Sequence, residues 1–228
     1  MANPLINSFI TEVDDFIKNE FITCKQMVDL KDIYYSRNKK EPRVAEAIIY
    51  RWFTHYLGIN EPINKEHRIG DLILRSETKY PGKTGKQNID ISVLKHGKIK
   101  LGISIKMQGT TPAYLDGADF NNPLLMNKYR NYLKVNDNIL QQARDNKEAK
   151  IRIKVPTLLQ DFARIDNLQL DSNDRFQSAT IIFEKMKDQE IFWVREFESK
   201  YNHKFLFLLN EPQMILKTWV DNNLDSIK

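Results

Sequence analysis

Two neighbouring stretches, Asn88-Ile89-Asp90-Ile91-Ser92-Val93-Leu94 and Lys98-Ile99-Lys100-Leu101-Gly102-Ile103-Ser104-Ile105-Lys106-Met107-Gln108, alternate polar and apolar residues. A period of two marks strands that turn one face to a core. The turn between them sets their register, and a shift of one residue would send every apolar side chain to the wrong face. A two-residue loop at His96-Gly97 would place Asp90 opposite Ile103 and mix the faces. A three-residue loop, His96-Gly97-Lys98, with Gly97 left-handed, places Asp90 opposite Ser104, Ile91 opposite Ile103 and Val93 opposite Leu101. The second register keeps the apolar residues together. It therefore predicts a cluster of Asp90, Ser104, Lys106 and Gln108 on a non-core surface.

A carboxylate on one strand and a lysine near the end of its hairpin partner resembles the motif of the PD-(D/E)xK nuclease superfamily. The match reads Asp90, a spacer holding the turn, then Ser104-Ile105-Lys106. It covers roughly residues 41–108. The resemblance implies that Asp90 ligates Mg²⁺ and that Lys106 orients or activates the attacking water. It also implies a restriction-endonuclease-like fold. Ile89 stands where the family name has proline. Ser104 stands where Asp or Glu is usual, so a carboxylate must come from elsewhere, as it does in some restriction endonucleases of this superfamily.

Phosphodiester hydrolysis requires neutralising the charge that develops on phosphate and lowering the pKa of a water molecule. Mg²⁺ takes one or two carboxylates together with phosphate oxygens and waters. A second carboxylate should therefore converge on Asp90. Glu46 is the best candidate, because residues 42–57 read as a helix with Ala45, Ile48, Ile49, Trp52, Phe53 and Tyr56 as its apolar stripe and Glu46 at the border. Superfamily members often carry a metal-linked glutamate on the helix before the motif. Glu77 and Asp119 are weaker substitutes. Asp71 to Lys79 also contains an acid followed by Glu-x-Lys, but the spacing leaves no room for a turn. Asp71 and Glu77 must then lie along one strand, about 20 Å apart, and cannot share an ion. Asp71 remains a minor substrate-side candidate.

The chain has 228 residues, enough for one domain with elaborations, and 41% hydrophobic and 11% aromatic residues, enough for a core. We expect a single nuclease domain over 1–228, with a helical elaboration at 1–40 and a helical and strand elaboration at 150–228. The single cysteine, Cys24, excludes a disulfide framework and a cysteine zinc site. His55, His67, His96 and His203 show no metal-ligand spacing and read as surface or satisfied core. No long apolar run or signal-peptide pattern is present, so a soluble, cytoplasmic protein without a membrane partner is expected.

The net charge of +5 is modest, but its distribution is patchy. Basic clusters occur at Arg37 to Lys40, through the Lys79–Lys86 loop with Lys83 and Lys86, at Lys128, Arg130 and Asn131, and at Lys150 to Lys154. Such residues neutralise phosphates and reach bases or sugars. Together with Gln108 and with Thr110 and Thr111 in the following loop, they form the expected DNA-binding set. The Pro81–Lys86 loop is not a P-loop, because Gly85-Lys86 leads into a strand rather than a helix.

The remaining elements complete an α/β (α+β) fold, a sandwich with a mixed central sheet, an antiparallel meander and flanking helices. They are an amphipathic helix over 4–30, the meander over 69–108, an irregular loop over 109–123 and a helix over 124–147. A strand at Ile151 to Val155 and a short helix follow. Residues 173–201 read as helical, with Ala179 to Phe183 as an alternative strand. Lys204 to Leu209 is a buried strand, and Glu211 to Asn223 a closing helix capped near Asn210. The resemblance further implies a Mg²⁺-dependent type II restriction endonuclease, acting as a homodimer on palindromic double-stranded DNA. The Asn and Gln content suits an A·T-rich site. A catalytically inactive DNA-binding relative and a repair or junction-resolving nuclease are the alternatives.

Overall fold

The computed structural model describes residues 13–37, 43–62, 64–82, 85–107, 112–115, 153–156, 158, 161, 164–165, 168, 175–188, 191, 195, 198 and 202–227. Among the described residues, the helices α1 (Cys24–Arg37), α2 (Arg43–Tyr56) and α3 (Leu216–Asn223) accompany eight strands. The strands are β1 (Glu66–Ile69), β2 (Leu72–Gly82), β3 (Gly85–Lys95), β4 (Lys98–Lys106), β5 (Pro112–Leu115), β6 (Ile153–Pro156), β7 (Gln177–Ile182) and β8 (His203–Phe207). Six of them form one mixed sheet in the order β1-β2-β3-β4-β7-β8. The β1–β2 and β3–β4 pairs are antiparallel, and β4–β7 and β7–β8 are parallel. The fold is thus α+β, a mixed six-stranded sheet with flanking helices.

The chain divides into two compact units. The first comprises residues 1–78, 89–107 and 176–228, and the second residues 79–88 and 108–175. The first unit holds the main core. Ile91, Val93, Leu101, Ile103 and Ile105 of the central hairpin join Ala179, Ile181 and Leu206, and Ala45, Ile48, Ile49, Trp52 and Phe53 of α2 close over them. In the second unit, β5 and β6 form a separate antiparallel pair with Pro112 opposite Pro156. A strand thus stands at 112–115 in place of the expected irregular loop, and the strand expected at Ile151 to Val155 begins at Ile153. The helix expected over 124–147 lies outside the described residues.

The hairpin register is as expected, but its origin differs. Lys95 pairs with Lys98, so the turn is the two-residue His96-Gly97, with φ of 52° and 76°. Two left-handed residues in succession make a turn whose twist matches that of the strands. The extra residue sits inside β4 instead. Leu94 pairs with Ile99 and Val93 with Leu101, leaving Lys100 as a bulge. Beyond it Ile91 meets Ile103, the register that the apolar pattern demands.

Other boundaries moved for local reasons. The expected 4–30 helix is broken: residues 13–17 are helical, a turn follows, and α1 starts at Cys24. Thr23 and Gln26 form a capping box there, Gln26 N donating to Thr23 Oγ1 at 3.3 Å and Thr23 N to Gln26 Oε1 at 2.9 Å. The closing helix starts at Leu216 rather than near Asn210. Asn210 instead ties the β8 exit to Met186, accepting from its N–H and donating to its carbonyl, both at 2.8 Å. Within 173–201 the strand alternative holds, as β7 in the sheet's interior. Its side chains are all buried, which fits a strand flanked on both edges by parallel partners.

Candidate active site

Four elements, α2, β2, β3 and β4, carry the residues that act on one carboxyl, Glu46. The β3–β4 pairing ends at Ile91 and Ile103. Past that pair, the Ile105 N–H donates to Asp90 Oδ2 at 2.7 Å, so a side chain takes the place of a backbone acceptor. The two strands part at this point, and the Asp90 carboxylate is fixed in the gap. The next residue, Lys106, ends β4 half-buried, its carbonyl accepting from Phe183 N at 2.9 Å. The β4–β7 register continues through it, Ser104 opposite Thr180 and Lys106 opposite Ile182.

The expected non-core surface is in fact covered. Asp90 is 6% exposed and Ser104 2%. Ser92, Ser178, Thr180 and His203 are buried as well. His203 is a satisfied core histidine, its Nδ1 bonded to Ser178 Oγ at 2.8 Å and its Nε2 to Thr180 Oγ1 at 3.0 Å. Small polar groups are buried at little cost when they are hydrogen-bonded, so strand alternation marks two faces without telling which is wet. Gly102 fits the same close packing. A Cβ there would stand 2.9 Å from the Phe176 ring and 3.3 Å from an Ile89 methyl.

Glu46 lies in the first turn of α2, half-buried at the edge of the apolar stripe, where the helical period predicted it. Burial pushes its carboxyl up to about 7. The negative charge of Asp90, a hydrogen bond to Glu77 and the Glu77 charge push the same way, while Lys106 pulls it down. Asp90, Glu77 and Lys106 thus act on the Glu46 carboxyl of α2 from β3, β2 and β4.

Glu77 is the residue that sequence reasoning undervalued. It sits within β2 at φ 42°, a left-handed conformation uncommon for a side-chain-bearing residue. A single left-handed residue in a strand re-aims its side chain, and no alternation pattern reveals that. The only sequence hint was its acidic character beside Lys79. Asp71 falls in the turn before β2 and pairs with Lys95 at 3.4 Å, at the opposite end of the hairpin from Asp90. It takes no part in the cluster. Gln108, Lys83, Thr110, Thr111, Lys128, Arg130, Asn131 and Asp119 lie outside the described residues. Lys86 is exposed near the start of β3, in the second unit.

Among the described residues, no three His, Cys, Asp or Glu side chains come together closely enough to hold a metal ion. Mg²⁺ is commonly held by one or two carboxylates, with waters and substrate oxygens filling its octahedron. Glu46 and Asp90 are the two carboxylates here that could serve such an ion. Their mutual repulsion, which raises the proton affinity of Glu46, is what a divalent cation would relieve.

No protein-family model matches this chain, and neither a curated protein nor a solved structure matches it. No helix among the described residues is long and apolar enough to cross a membrane.

Proposed function

We propose that this chain is a Mg²⁺-dependent endonuclease of the PD-(D/E)xK kind, cutting double-stranded DNA at specific sites as a homodimer. One observation supports the reading: Asp90 on β3 and Lys106 on β4, named from the sequence for metal binding and water activation, both lie close enough to Glu46 on α2 to shift its carboxyl in opposite directions. Glu46 and Asp90 would hold the ion, which when bound supplies charge neutralisation and a water of lowered pKa. The Ile105 N–H fixes Asp90, so the carboxylate is oriented before substrate arrives. Lys106, whose charge acts on Glu46, would orient the attacking water and stabilise charge developing on the phosphate. Ser104 keeps the acid position of the motif neutral and leaves the work to Glu46.

A second reading rests on that same serine. With a neutral, buried residue in the acid position, the chain would be a DNA-binding protein that has lost catalysis. Incubation of plasmid DNA with Mg²⁺ or Mn²⁺ separates the two. The nuclease gives discrete fragments, and the inactive relative gives salt-sensitive binding without cleavage. A preference for branched over linear duplex would identify a junction-resolving nuclease instead.

A further inference from the structure

Hydrolysis at a DNA backbone needs positive charge on the phosphate side of the site as well as carboxylates on the metal side. Lys106 is one such charge. Arg43 is placed to be a second. It opens α2 three residues before Glu46, a spacing that puts both side chains on the same side of the helix. Its Nε lies 3.4 Å from Glu77 Oε1, and 73% of its side chain is exposed. Glu77 therefore interacts with both Arg43 and Glu46.

Arg51 and Arg75 of this unit are held more tightly. Arg51 donates to both carboxylate oxygens of Asp14 at 2.7 and 2.5 Å, and Arg75 donates to Glu66 at 2.7 Å. The Arg43 contact is longer and solvent-exposed, the kind of ion pair that contributes little and is readily exchanged. A guanidinium presents five donors in a planar fork that matches two phosphate oxygens.

We propose that Arg43 is the phosphate-binding cation of this site, parked on Glu77 in the free protein and transferred to a backbone phosphate beside the scissile bond when DNA binds. The inference rests on the nuclease reading given above. It makes Glu77 a positioning residue, which holds Arg43 near the site and yields it to substrate.

The test uses the full chain and a plasmid that the wild type cuts. DNA binding is measured over a range of salt with Ca²⁺ replacing Mg²⁺, and cleavage is measured with Mg²⁺. Arg43→Ala should lower the slope of log affinity against log salt by about 0.9, the loss of one phosphate contact, and slow cleavage about tenfold or more. Arg43→Lys should restore the slope but only part of the rate. Glu77→Gln should tighten DNA binding, and that gain should shrink in the Arg43→Ala background. Because Arg43 is exposed, unchanged thermal unfolding of its variants checks that the fold survives. An Arg43→Ala protein with wild-type slope and rate overturns the inference while leaving the nuclease reading intact. A wild type that neither binds nor cuts DNA overturns both.

Discussion

Replacing Glu46 by glutamine should stabilise the metal-free protein, and only when the solution is alkaline enough to ionise the native carboxyl. Folding lifts this group from 4.5 to about 7, chiefly by burial and then by the Asp90 and Glu77 charges. A raised carboxyl pKa means the folded state binds the proton more tightly than the unfolded chain. Stability therefore falls as pH rises from about 4.5 to about 7 and stays low above that. At 1.36 kcal/mol per pH unit the full displacement would correspond to roughly 3 kcal/mol. Glu46 is only half-buried, and solvent screening reduces this to about 1–2 kcal/mol. Glutamine keeps the shape and removes the charge. In EDTA at pH 8, Glu46→Gln should raise ΔG of unfolding by that amount, or Tm by about 2–4 °C per kcal/mol for a chain of this size. At pH 4.5 the two proteins should be nearly equal. Mg²⁺ should reverse the order at pH 8, because ligand bound to the folded state stabilises the wild type by about 2.7 kcal/mol at a hundred times Kd, more than the glutamine variant gains. Urea titrations at the two pH values, with and without Mg²⁺, measure all of this. A glutamine variant that is equally or less stable than wild type at pH 8 in EDTA would refute the electrostatic account of the cluster.

Gly102→Ala should destabilise by about 1–3 kcal/mol in urea, since its new methyl would stand 2.9 Å from the Phe176 ring in a packed sheet. Asp14→Asn should cost about 1–2 kcal/mol at pH 7, where Asp14 accepts both Arg51 bonds. Arg51 holds the Asp14 carboxyl below its usual range, so this stabilisation is present above pH 3.8 and is lost as pH falls through the lower native value. The gap between Asp14→Asn and wild type should close in acid, which chemical denaturation at pH 7 and near pH 2.5 would show. Cys24 is fully buried and its thiol is pushed up to about 12 by burial. Iodoacetamide at pH 8 should leave it unmodified in the native protein and alkylate it in urea, as read by mass spectrometry.

The central hairpin was legible because its apolar residues repeat with period two across both strands, and only one register buries them all. The bulge at Lys100 was hidden, since a longer turn and a bulge produce the same register downstream. The Glu46 helix was legible from its apolar stripe. The break before α1 becomes readable in Thr23-Cys24-Lys25-Gln26 only once Thr23 and Gln26 are recognised as a capping pair. β7 was ambiguous because a fully buried strand and a buried helix segment both read as continuous apolar runs. Glu77 was undervalued because its left-handed backbone leaves no mark in composition or period. Burial of Asp90 and Ser104 was missed because alternation separates two faces without saying what covers them.

Cleavage of plasmid DNA by purified protein in Mg²⁺ tests the central proposal most directly. The wild type should give discrete fragments, and Asp90→Ala and Lys106→Ala should bind DNA without cutting it. Fragments that persist in both variants, or a folded wild type that never cuts, would contradict the assignment of Asp90 and Lys106 to the chemistry.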